Sequence, residues 1–169
     1  ARVGLIAFGG DEARETISLK DSESMTAQSM QMRLRGLRRP SGGTKVGMAL
    51  RKMRETFAAG GRGGVRGGAV DPSEGLYFQT GNGRISGESD NPLRQIGFLF
   101  TDGRSQDDVN LEARMLEAAG VEVFVIGVEG EADEVSLAYI ASHFDNVILV
   151  DPKALSGSLS LLTYVVEYV

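Results

Sequence analysis

The 169-residue chain contains no cysteine. No disulfide framework, thiolate nucleophile or zinc-thiolate site can therefore exist, and cysteine usage says nothing about redox compartment. There is no tryptophan and only one histidine, His143. A Ser-His-Asp relay would have to use that residue, and no serine pairs with it in an evident motif. No apolar run approaches the roughly 20 residues that cross a bilayer, so membrane insertion is not expected. Positive charge is in deficit, with 18 Lys and Arg against 23 Asp and Glu, a formal net charge of −5. That balance argues against nucleic acid as a partner. The chain begins at Ala1 and runs straight into apolar residues, without an initiating Met or a signal peptide. It reads as an excised domain, and any targeting signal is expected outside it.

What is present is the pattern of one α/β domain. Hydrophobic residues make up 41 % and charged residues 24 %, enough for one sizeable core. Residues 3–8 (Val-Gly-Leu-Ile-Ala-Phe) form a short apolar run ahead of Gly9 and Gly10 and predict a buried strand. Residues 15–19 alternate, with Ile17 and Leu19 on one face, and predict an antiparallel edge strand. Ser24 is placed to cap a helix reaching Leu37, ended by Pro40 and Gly42. Val46, Leu50, Met53 and Phe57 recur at helical spacing and predict a helix over 45–59. Residues 96–101 and 121–128 predict two further buried strands. Between them lies a helix opened by Ser105 or Asp107 and closed by Gly120. A helix over 132–143, a strand over 147–150 and a last apolar helix over 155–169 complete the order. Alternating strands and helices imply a largely parallel sheet with helices on both faces.

Residues 60–95 interrupt this order. The glycine-rich run at 60–68 has no periodicity, and a small hairpin around Gly81-Asn82-Gly83 could follow it. So long a connection reads as an insertion into a single domain spanning 1–169. Its Arg-Gly-Gly units at Arg62 and Arg66 suit a solvated loop better than an RNA-binding tail in an acidic chain. Residues 74–80 resemble a potyviral protease cleavage site, to which no native role is assigned.

Two segments carry chemistry. The first is Ser41-Gly42-Gly43-Thr44-Lys45-Val46-Gly47-Met48-Ala49-Leu50, a glycine-rich turn entering a helix. It is not a phosphate loop, because there Lys precedes Ser or Thr and here Thr44 precedes Lys45. The second is Phe100-Thr101-Asp102-Gly103-Arg104-Ser105-Gln106-Asp107-Asp108, an apolar strand ending in a carboxylate. In a parallel sheet such strand ends gather around one crevice. Thr44 and Asp102 together offer a hydroxyl and a carboxylate, hard oxygen donors suited to Mg²⁺ or Mn²⁺ but too few for a site of their own. Two bland alternatives stand beside that reading: Thr44 as a helix cap, and Asp102 in an Asx-turn with Gly103. Asp107 and Asp108 are expected to stabilise the positive end of the helix that follows them. His143 is expected to be a helix-end residue.

Taken in order, these segments resemble the von Willebrand factor A domains, most closely those of matrilins and non-fibrillar collagens. Residues 119–128 are similar to the family's fifth strand, and residues 137–142 with 147–155 to its C-terminal segment. The resemblance covers nearly everything except 60–95 and implies a Rossmann-like fold. It also implies that Thr44 and Asp102 are metal ligands. The family's remaining ligands come from an Asp-x-Ser-x-Ser motif that is absent. Asp21-Ser22-Glu23-Ser24 is only a lookalike with the wrong spacing, and Val46 stands where many relatives have another Thr. Residues 3–8 align with the family's second strand, so the resemblance implies an N-terminally truncated domain lacking its first strand and helix. Mg²⁺ or Mn²⁺ should then bind weakly or not at all to residues 1–169 alone. The family's central strand would lie between those formed by 3–8 and 96–101. These two strands are therefore expected to stand apart or to close on each other. The function implied is extracellular adhesion or binding to a matrix or cell-surface protein through an acidic group of the partner. An intracellular scaffold domain is the alternative, and no enzymatic activity is expected.

Overall fold

The computed structural model describes residues 2–38, 42–60, 94–101 and 104–151. The expected insertion beyond residue 60, the expected helix over 155–169 and Asp102 itself lie outside them. The first elements are two short strands, β1 (Leu5–Gly9) and β2 (Glu12–Ile17), paired antiparallel from Leu5 opposite Ile17 to Gly9 opposite Glu12. Gly10 turns the hairpin at φ 60°, a conformation the primed two-residue turns require. The second strand thus starts three residues earlier than its alternating apolar residues suggested, because pairing with β1 continues up to the turn.

The next segment departs from expectation. Ser24 does not cap a helix; it closes a 3-10 turn, Asp21–Ser24, by donating its hydroxyl to the Asp21 carbonyl at 3.0 Å. Thr26 caps helix α1 (Ala27–Arg35) instead, accepting from the Ser29 N–H. No residue of α1 is buried, and Met32 and Leu34 are exposed. A helix that meets no core needs no clean apolar stripe.

Helix α2 (Val46–Gly60) runs as its periodicity requires, with Val46 and Leu50 fully buried. Burial of each contributes about 1.5–3 kcal/mol. Met53 packs over Gly97, while Thr56 lies against Gly4 beside Leu19. One helix therefore touches both the hairpin and the strand that follows.

That strand is β3 (Gln95–Phe100), the edge of a parallel sheet ordered β3-β4-β5. β4 (Val121–Val128) lies at its centre and β5 (Val147–Val150) at the other edge. Ile96 sits opposite Glu122 and Phe100 opposite Ile126; Val125 pairs with Val147 and Val128 with Val150. β4 is apolar on both faces, the signature of a strand covered from both sides. Helix α3 (Asn110–Ala118) leads into it through Gly120, whose φ of 76° ends the helix. Helix α4 (Glu134–Ile140) is shorter than expected. It stops because Ser142 leaves the helical path to exchange two hydrogen bonds with the Val123 backbone.

Leu50, Leu116, Leu137 and Ile140 from α2, α3 and α4 pack with Leu99, Val121, Val123 and Val125 on one face of the sheet. Phe124, Ile126, Ile148 and Val150 form a separate cluster on the other face, joined by Ile96 and Phe98. No residue of a described helix belongs to that second cluster. Among the described residues β1 pairs only with β2 and β3 only with β4. The two strands stand apart, one of the two arrangements the sequence allowed.

Candidate metal centre

The carboxyl ends of β1, β3, β4 and β5 converge on a crevice of about 410 Å³. Phe8 and Gly9 form one wall, Phe100 and Thr101 another, with Ile126, Gly127 and Val128 beyond them. Thr44 lines the same crevice. Ligand crevices in open α/β sheets lie at this end of the strands.

Thr44 is held there by close packing between loops. Gly42 has a φ of 109°, and a Cβ on it would come within 2.9 Å of the Gly10 Cα. The Gly10 N–H donates to the Gly43 carbonyl at 2.6 Å, and the Gln106 N–H donates to the Thr44 carbonyl at 2.9 Å. A side chain on Gly43 would strike the Gln106 amide. Glycine is thus required at 42, by its φ and by the hairpin turn, while a side chain at 43 would have to displace that of Gln106. Lys45 completes the contact with an ion pair to Asp11, which raises the Lys45 pKa.

The start of α2 has an unusual capping arrangement. Its first three N–H groups need acceptors, and Lys45, the residue before the helix, has no acceptor on its side chain. The acceptors come from the loop after β3. Val46 donates to the Ser105 hydroxyl at 3.0 Å, Gly47 to Asp107 Oδ1 at 2.9 Å and Met48 to Asp107 Oδ2 at 2.8 Å. The Ser105 hydroxyl donates in turn to Asp107 Oδ1 at 2.6 Å. Burial raises the Asp107 pKa more than any other single influence. The hydrogen bonds from Ser105, Gly47 and Met48 together outweigh it and hold the carboxyl below its ordinary value.

Two sequence expectations are corrected here. Ser105 and Asp107 do not open α3; they cap α2, which precedes them. Asp108 does serve the following helix, accepting from the Asn110 N–H at 2.9 Å. Thr44 as the cap of its own helix is also displaced, because the N–H groups a cap would take are already bound. Sequence reading missed this clamp: with the helix expected from residue 45, Thr44 stood at the cap position with a hydroxyl to offer, and only the observed start at Val46 leaves Lys45 there.

A second link ties α2 to α3. Glu112 on α3 is buried and accepts from Arg51 at 2.7 Å and from Arg54 at 3.2 Å. Its hydrogen bond raises the Arg51 pKa. His143 lies at the opposite end of the sheet. It precedes the 3-10 turn Phe144–Asn146.

Among the described residues, no three His, Asp or Glu side chains converge as a metal site would need. Asp11 is engaged with Lys45, and both Asp107 oxygens are engaged with α2. The donors lining the crevice fit a hard divalent cation in kind, since Thr44 and Thr101 carry hydroxyls. Asp102, next after Thr101, lies outside the described residues.

The family model for the von Willebrand factor type A domain matches residues 77–157. The human collagen alpha-1(XX) chain is 32 % identical over 143 residues, which are 83 % of this chain and 9 % of that one. Human matrilin-4 is 43 % identical over 49 residues, 29 % of this chain and 8 % of its own. The chain thus spans less than a tenth of the length of these relatives. Among solved structures, proximal thread matrix protein 1 from the mussel byssus, with a zinc-occupied MIDAS motif, superposes with a TM-score of 0.67. It is 21 % identical, over 96 % of this chain and 35 % of that one. Manganese-loaded Plasmodium vivax TRAP protein gives a TM-score of 0.60 at 16 % identity, over 91 % of this chain and 54 % of its own. The chain is a von Willebrand factor A-like domain with a Rossmann-like α/β fold.

Proposed function

We propose that this domain is a binding module, not a catalyst, and that its crevice holds Mg²⁺ or Mn²⁺ through Thr44 and Asp102. A divalent ion held by few protein carboxylates keeps its positive charge and seeks a further oxygen ligand, which an acidic side chain of a protein partner supplies. The partner is a protein of the extracellular matrix or the cell surface, a reading that the collagen and matrilin relatives support. The domain runs over residues 1–169, with about 60–95 as an insertion.

The observation that carries the reading is the position of Thr44. It stands in the crevice at the strands' carboxyl ends, and its helix is capped by other residues. The metal-loaded A-domain neighbours support the choice of ligand chemistry. The lone histidine is at the other end of the sheet, which supports binding over acid–base chemistry.

Calorimetry with Mg²⁺ and Mn²⁺ tests the proposal. Weak binding is expected, because Thr44 and Asp102 are only two ligands and Mg²⁺ parts with its waters reluctantly. Thr44→Ala and Asp102→Ala should each weaken it further. Tight binding that survives both substitutions would move the site elsewhere. A surface plasmon resonance assay on immobilised matrix proteins, with and without chelator, tests the partner class.

A further inference from the structure

The clamp on α2 explains why Thr44 is available to the crevice at all. A helix start without acceptors recruits the nearest hydroxyl, and here that hydroxyl is Thr44, one residue before Lys45. Extending the helix by one residue would make Thr44 its cap and turn its hydroxyl toward the helix N–H groups. Ser105 and Asp107 remove the incentive by occupying the Val46, Gly47 and Met48 N–H groups themselves. The fit is close on both sides. A Cβ on Gly47 would overlap the Asp108 carbonyl oxygen, so only glycine lets the loop approach. The Gln106 N–H meanwhile fixes the Thr44 carbonyl.

We propose that Ser105 and Asp107 are positioning residues of the metal centre, holding no ion themselves but freeing Thr44 from capping so that it serves as a ligand. This rests on the metal reading given above. It adds that the loop after β3 reaches the metal centre indirectly, through Ser105 and Asp107 on the helix that follows Thr44.

The test uses the full chain, Mn²⁺ as probe, and the paramagnetic broadening of the Gly9 and Val128 amide signals at the crevice, which detects weak binding and survives in every variant. Asp107→Ala should raise the Mn²⁺ midpoint about tenfold, the usual order for a residue that orients a ligand. Thr44→Ala should raise it by a similar factor, and the double variant no further, because Asp107 acts through Thr44. Asp107→Asn, which keeps one acceptor oxygen, should fall between. Amide exchange without metal should quicken at Gly47 and Met48 in Asp107→Ala, and Ser105→Ala provides a milder variant should that one unfold. An Mn²⁺ midpoint moved by Thr44→Ala but not by Asp107→Ala or Ser105→Ala overturns the positioning role and leaves the metal reading standing. So do factors that multiply in the double variant. A midpoint moved by neither Thr44→Ala nor Asp102→Ala overturns both.

Discussion

The two ends of the parallel sheet use polar groups in opposite ways. At the amino end, side chains close the structure on itself. Arg94 pairs with Glu122 at 2.7 Å, the Asn146 amide donates to Glu122 and to the Val123 carbonyl, and Ser142 takes the Val123 N–H. At the carboxyl end, Asp107, Ser105 and the backbone of 43–48 and 106 satisfy one another, while Thr44 and Thr101 line a crevice. The difference shows where this fold can afford an open site: where loops brace each other, so that individual side chains need not.

The largest way to break the contrast is Gly47→Ala. The added methyl meets a backbone oxygen that cannot turn away, so about 3 kcal/mol of stability should be lost in urea denaturation. Asp107→Ala should cost about 2 kcal/mol, since two helix N–H groups lose their acceptor. The same carboxyl sets a pH dependence. Its folded-state pKa is lowered from 3.8, so its contribution is present at neutral pH and is lost as pH falls through the lowered value. Asp107→Asn should flatten the acid limb of a stability–pH curve. Glu122, lowered from 4.5 chiefly by its hydrogen bond from Arg94, acts with the same sign.

Smaller effects are expected at the amino end. Ser142→Ala leaves the Val123 N–H without its acceptor and should cost about 1 kcal/mol in the same measurement. Arg94→Ala should change stability by no more than about 0.5 kcal/mol, because that side chain is 57 % exposed. If Arg94→Ala proved costlier than Asp107→Ala, the braced end would be the wrong one.

Legibility from sequence followed the range of the interaction. β4 and α2 were readable because their patterns are local: an unbroken apolar run and an apolar residue every turn. The Thr26 cap was obscured because Ser24, an equally good capping residue, is taken by a 3-10 turn two residues earlier. The role of Asp107 was misassigned because its partners lie 59 and 60 residues away, and proximity favoured the following helix. Of the candidate ligands, Thr44 is found in the crevice, and its release from capping could not be read without the fold. The parallel-sheet pattern set it beside Asp102, and the resemblance implied that both are ligands.

The capping of α2 from so far along the chain also sets an order of events in time. Residues 46–48 leave the ribosome well before Ser105 and Asp107, so this cap on α2 cannot form until β3 and its loop have been made. Contacts that form after the folding barrier change the unfolding rate and leave the folding rate nearly untouched. Stopped-flow measurements on Asp107→Ala should therefore show faster unfolding with a refolding arm close to that of the parent chain. A slowed refolding arm would mean that the clamp forms in the transition state, making the loop after β3 part of the folding nucleus.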